Sequence, residues 1–238
     1  NLTSVEGTFG IYEFDYMDGF FTSTSTSSST YGWMFKRAKG FFDVVAYTGT
    51  GSAHTEKHSL GVVPEMMIVK NRDISQDWGV YHAAIGNTNK LYLNRTDDST
   101  GGWWNSTTPT ASEFTLSATD AVNGNYDYIA YLFATLAGVS KVGSYTGNGT
   151  NQNIACGFSG GARFVLIKRT DSTGDWYIWD TTRGIVTGND PHLSLNTTSA
   201  EVTSDDSIDP QSAGFTVNQV SATNINVSSA TYIFMAIA

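Results

Sequence analysis

Several things are scarce in this sequence, and each scarcity excludes something. Cys156 is the one cysteine among 238 residues, so no disulfide forms within the chain and a disulfide-stapled scaffold is ruled out. Lysine and arginine number 13 against 22 aspartates and glutamates, a formal net charge of −9. A chain this short of cations does not suit a nucleic-acid backbone, which needs clustered Lys and Arg. No apolar run reaches the roughly 18 residues of a spanning helix, which argues against membrane insertion. Signatures of catalysis are missing too. There is no Gly-x-Ser-x-Gly elbow, no Cys–His pair with a local signature and no phosphate-binding loop. A two-carboxylate glycosidase pair, which can come from distant strands, is left open, though nothing points to it.

What is present is a globular, β-rich composition. Hydrophobic residues make up 40% and aromatics 13%, with 24 glycines, enough to fill a core and to turn the chain often. The dominant pattern is an internal repeat. EMMIVKNRDISQDWGVYHAAIG at residues 65–86 returns as RFVLIKRTDSTGDWYIWDTTRG at residues 163–184. Lys70 and Lys168, Asp77 and Asp175, and Gly86 and Gly184 keep one ungapped offset, which marks repeat architecture.

Read in order, each copy gives seven strands and no convincing helix. Val44-Val45-Ala46-Tyr47-Thr48-Gly49-Thr50-Gly51 matches Val142-Gly143-Ser144-Tyr145-Thr146-Gly147-Asn148-Gly149, a strand ending in a Thr-Gly-x-Gly hairpin turn. The runs Met66-Met67-Ile68-Val69 and Phe164-Val165-Leu166-Ile167 read as strands buried on both faces. In the strands that follow, Trp78 and Val80 oppose Gly79 and Tyr81, and Trp176 and Ile178 oppose Tyr177 and Trp179. Leu91-Tyr92-Leu93-Asn94 matches Leu193-Ser194-Leu195-Asn196 after a short insertion at 185–191. The closing segments at 128–134 and 232–238 carry some helical spacing in the first copy, but the second is too short and too rich in Tyr, Ile and Phe for a stable helix. The expectation is an all-β protein of two tandem, homologous β-sandwich, jelly-roll-like repeats at 38–137 and 138–238. Residues 1–37 form a short strand-containing segment that reads as the end of a preceding copy. The chain opens on Asn1 rather than Met, as expected of a processed chain or a portion of a longer one.

Positions shared by the copies are expected to serve the fold. Trp78 and Trp176 read as core, Asp77 and Asp175 as turn acceptors, and Lys70 and Lys168 as strand ends whose stems reach solvent. Unmatched positions are freer to specialise. Trp103 and Trp104, in Gly101-Gly102-Trp103-Trp104-Asn105, have no counterpart in the second copy. Their loop either tucks onto its own sandwich, contacts a partner subunit or stacks on a sugar. Asp205-Asp206-Ser207-Ile208-Asp209 lacks the spacing of a calcium loop and reads as a solvated acidic turn. The histidines His54, His58, His82 and His192 share no repeat position and no metal-ligand signature. Six Asn-x-Ser/Thr sequons, among them Asn94, Asn105 and Asn196, are what chance supplies in a chain rich in these residues. No cofactor, catalytic residue or metal site is expected.

The segments Phe35-Lys36-Arg37-Ala38-Lys39-Gly40-Phe41-Phe42-Asp43-Val44-Val45-Ala46-Tyr47-Thr48-Gly49 and 162–179, with the close at 232–238, resemble a tandem domain of uncharacterised function. That domain recurs in predicted tail and virion proteins of marine bacteriophages, especially phages of cyanobacteria. The resemblance implies a non-enzymatic structural component of the virion, a tail fibre, spike or tail-associated part engaged in host attachment. Its partners would be other virion subunits, as a homo-oligomer such as the trimer usual for fibres, and a host receptor or glycan. The alternative placement is a capsid-decorating or carbohydrate-binding head-fibre protein. The family brings no catalytic residues to carry over.

Overall fold

A computed structural model describes residues 32–238 and, within residues 1–31, only the backbone of a ribbon of β1 (Tyr12–Glu13) against β2 (Phe21–Thr22). The expectation of a truncated copy at 1–37 therefore lies mostly outside the described residues, and residues 32–37 form no strand. The rest of the first half holds β3 (Phe42–Thr48), β4 (His54–Lys57), β5 (Met66–Asn71), β6 (Gly79–His82), β7 (Asn89–Tyr92), β8 (Thr100–Gly101), β9 (Glu113–Leu116) and β10 (Asp127–Phe133). The second half holds β11 (Ser140–Thr146), β12 (Gln152–Ala155), β13 (Phe164–Arg169), β14 (Trp176–Asp180), β15 (Leu193–Ser194), β16 (Ile208–Gln211), β17 (Gly214–Val217) and β18 (Thr231–Ile237). The protein is all-β; among the described residues the one helical element is a 3-10 turn, Ala83–Ile85.

Two large antiparallel sheets have orders β3-β10-β5-β6-β7-β8 and β11-β18-β13-β14-β15. Two small sheets, β4-β9 and β12-β17-β16, accompany them. Apart from β8 and β16, the orders correspond strand for strand. These two extra strands raise the count from the expected seven to eight in each half. They were hidden because β8 is two residues long and β16 contains Pro210, a residue confined to sheet edges.

Side-chain alternation then places three cores. In the first half Met67, Val69, Tyr81, Tyr128, Ala130 and Leu132 face the small sheet and meet Phe114 and Leu116. In the second, Val165, Ile167, Trp179, Tyr232, Phe234 and Ala236 meet Ile154, Phe215 and Val217. The opposite faces of the two large sheets pack on each other. Met66, Val80, Leu91 and Phe133 share one apolar cluster with Phe164, Leu166, Trp176, Ile178, Ile233 and Met235. Burying such a side chain stabilises by about 1.5–3 kcal/mol. The runs read as buried on both faces are so buried because each large sheet lies between a small sheet and the other large sheet.

Polar contacts stitch this middle layer. Trp176 Nε1 donates to the Tyr92 carbonyl at 2.8 Å, Gly174 N to Thr96 O at 2.9 Å, and Ser99 N to Thr170 O at 3.1 Å. From the N-terminal side, Phe35 packs edge-on against Phe133 and Phe164, with centroids 5.6 and 5.8 Å apart.

Two local expectations are corrected. The Thr-Gly-x-Gly segments are not hairpins, because β3 and β4, like β11 and β12, lie in different sheets. Glycine is required there by close approach. A Cβ on Gly49 would lie 2.0 Å from Gly124 O, and one on Gly147 would lie 2.2 Å from Val227 O. Lys70 and Lys168 do not reach solvent either. Both are buried. Their ammonium groups turn back onto their own hairpins, Lys70 Nζ to Gln76 O at 3.1 Å and Lys168 Nζ to Gly174 O at 2.7 Å. Lys168 also donates to Thr96 O across the middle layer at 3.0 Å. Burial pushes it down to about 8, an effect partly offset by Asp175, Asp97 and Asp98. The turn carbonyls supply the hydrogen bonds that make burial of the ammonium tolerable.

Candidate functional site

The acidic turn positions do act as acceptors. Asn94 Nδ2 donates to Asp77 Oδ1, and Asn196 Nδ2 to Asp175 Oδ1, each at 2.7 Å. The same asparagines accept the N–H of Trp78 and Trp176 at 2.9 and 2.8 Å. These two sequon asparagines are therefore structural. Trp176 is buried as expected, with its indole bonded to a carbonyl, while Trp78 is half-buried just ahead of β6.

Trp103 and Trp104 follow β8. Trp104 is 0% exposed and belongs to the core beneath the first large sheet. Its indole N–H donates to Asn89 O at 2.9 Å, and its ring meets Tyr81 edge-on at 5.6 Å. As folded, it presents no surface to a sugar or a subunit. Trp103 is half-buried and packs against the same core. A Cβ on Gly79 would lie 2.8 Å from its Cζ3, so the ring rests on bare backbone. Tyr92 meets it edge-on at 5.4 Å, and the Lys90 ammonium stands 4.6 Å from its centroid.

The second half explains this arrangement. Gly79 lies between Val69 and Tyr92, and Tyr177 lies between Ile167 and Ser194, which are corresponding places in the two sheets. Tyr81 and Trp179 correspond likewise, opposite Met67 and Val165. Lys90 and His192 each directly precede a corresponding leucine, Leu91 or Leu193. Lys90 sits against Trp103, whereas His192 meets Tyr177 at 5.3 Å and Trp179 at 5.4 Å. The second half thus grows from its own strand, as Tyr177, the ring that the first half lays in from a loop as Trp103.

The segment read as a solvated acidic turn is largely buried. Asp205 and Ser207 are buried, and β16 begins at Ile208, paired to β17. Asp190, on the inserted loop, accepts from Val186 N at 2.9 Å and Ile208 N at 3.3 Å. Burial pushes its carboxyl up to about 7, with Asp206 and Asp209 adding to the effect. Asn218 Nδ2 holds Asp206 Oδ1 and Asp209 Oδ2 at 2.8 and 2.9 Å. Sequence reasoning missed this cluster because Asp190 and the 205–209 segment meet only through the insertion.

Ser207, Asp205 and His192 adjoin, but in an order that does not suit hydrolysis. Ser207 Oγ donates to Asp205 Oδ1 at 2.9 Å, and His192 Nδ1 is 3.4 Å from that same oxygen. A nucleophilic triad needs the imidazole between serine and carboxylate. His54 Nε2 pairs with Glu56 at 2.7 Å and His58 Nε2 with Thr110 O at 3.1 Å, so these two are not brought together on a ligand. His82 caps the 3-10 turn by accepting from Ala84 N, and burial pushes it down to about 4. Burial raises the Cys156 thiol to about 12, which makes it a poor nucleophile. Among the described residues no group of three His, Cys, Asp or Glu could hold a metal ion.

One concavity stands on the outer flank of Tyr177, a cleft of about 370 Å³ between the β13–β14 turn and the β17–β18 loop, with Thr96 of the first half on its rim. A family model for a domain of unknown function, DUF7483, matches residues 17–238. The chain belongs to that family. No curated protein and no solved structure matches it. Membership in DUF7483 thus assigns no role to Tyr177, Trp103 or Trp104.

Proposed function

We propose that this chain is a non-enzymatic structural component of a bacteriophage particle, a tail fibre, spike or tail-associated subunit that takes part in host attachment. In this reading the two halves are homologous β-sandwich repeats. The support is the matching strand order, the shared Asp–Asn–Trp network and the ring-for-ring exchange between Trp103 and Tyr177. The bridge Ala38↔Phe42 repeats at Leu136↔Ser140, which supports residues 1–37 as the end of a further copy. The observation that carries the structural role is the apolar layer between the large sheets. It packs the two halves on each other through one continuous apolar cluster. A stack of that kind suits a stiff, protein-built appendage assembled as a homo-oligomer, in line with the phage-protein resemblance.

Immunogold labelling of purified particles with antibody against this chain tests the reading. Label on the tail is expected. Label on the head lattice would favour the capsid-decorating alternative, and its absence from the particle would overturn the proposal.

A further inference from the structure

We propose that the cleft beside Tyr177 is a binding site for a neutral, hydroxyl-rich ring of pyranose size, one residue of a glycan. Its volume of about 370 Å³ lies at the small end of the range for ligand sites, enough for one sugar ring. Its lining includes Thr96, Arg169, Thr173, Asp175, Tyr177 and Asn224.

The chemistry of that lining selects the ligand class. Arg169 is the one cation among the described residues that line the cleft, and its Nε and Nη2 are already engaged by Asp171 at 2.9 and 3.3 Å. With Asp175 on the same wall, an anionic ligand finds no uncommitted positive charge. A purely apolar ligand would strip water from the Thr96 and Thr173 hydroxyls, which make no hydrogen bond among the described residues, and give nothing back. A sugar suits both features, since its hydroxyls pair with polar groups while its C–H face lies on an aromatic ring.

The walls are already held in place. The Tyr177 hydroxyl donates to Ala222 O at 3.4 Å, and His192 supports the ring edge-on. Asn224, with φ of 50°, is tied at both ends of its amide, to Ser221 O and to Gln219. Lys168 and Gly174 N both hold Thr96 O. Preformed walls lower the entropy cost of binding. In the first half the place of Tyr177 is taken by Gly79 under Trp103, so the ring that floors this cleft has no counterpart there, and the site lies away from the tryptophans singled out by sequence.

Saturation-transfer NMR on the full chain tests this, with the methyl glycosides of glucose, galactose, mannose, N-acetylglucosamine and rhamnose as probes. At least one should bind the wild type at millimolar concentration, and Tyr177→Phe, which keeps the ring, should still bind it. Thr173→Trp and Thr96→Trp, both at exposed positions on the rim, fill the mouth. Either should weaken binding by about tenfold or more at an unchanged unfolding temperature. Failure of all five glycosides, or undiminished binding to whichever rim variant folds, would overturn the proposal. Binding of inorganic phosphate in place of sugar would overturn the ligand class. Particle labelling and solution binding are separate readouts, so either proposal can fail alone.

Discussion

If Trp103 and Tyr177 are two solutions to one packing problem, the second solution can be transplanted into the first half. Gly79→Tyr alone should be strongly destabilising, because its Cβ would fall 2.8 and 2.9 Å from Trp103 ring carbons and 3.4 Å from Val122. Overpacking of this kind costs about 1–3 kcal/mol. Trp103→Gly alone empties the space over Gly79 and loses the Lys90 contact at 4.6 Å. Full burial would put such a loss at about 3–5 kcal/mol, and half-burial brings it to roughly 2–3 kcal/mol. In the double variant the tyrosine ring occupies the vacated space. Its cost should fall below the sum of the single costs by about 2 kcal/mol, within the range seen for residues in contact. Urea unfolding of the four proteins measures that coupling. Costs that add to within about 0.5 kcal/mol would refute the exchange of rings.

Two further outcomes follow from the paired networks and the buried lysine. Asn196→Ala strips partners from the Asp175 carboxylate and the Trp176 N–H, at a cost of about 1–3 kcal/mol in urea unfolding. Asn94→Ala should cost less because Asn94 is half-buried, and the reverse order would contradict the network. Lys168 is pushed from 10.5 down to about 8, so between those values the unfolded chain holds a proton that the folded chain has released. Its contribution to stability therefore rises with pH across that window. The stability of wild type minus Lys168→Met should grow from pH 8 to 10.5, and a constant difference would refute the assignment.

The strands were legible where alternation or an apolar run marks them, as at Met66–Asn71 and Phe164–Arg169. Their two-sided burial was legible as well, but what covers the second face was not. A four-residue apolar run reads the same whether its far face meets a second sheet of its own half or the large sheet of the other half. Lys70 and Lys168 misled because a lysine at the end of a strand usually reaches water. The carbonyls that hold them lie across a turn, at Gln76 and Gly174. The rule that unmatched positions are free to specialise failed for Trp104. It compares positions one at a time, whereas Gly79 and Trp103 differ from the second half together. The cleft beside Tyr177 had no sequence signal, since it joins the β13–β14 turn to a loop some fifty residues on and to Thr96 in the other half.

The middle apolar layer has a consequence for autonomy. Residues 38–137 or 138–238 expressed alone would leave one broad greasy face uncovered, and half-chains would seek each other to hide it. Neither is a bead on a string; each half is the other's lid. The two halves thus depend on each other, so a lesion at Leu166 or Phe133 is felt in both, and the chain should melt in one step.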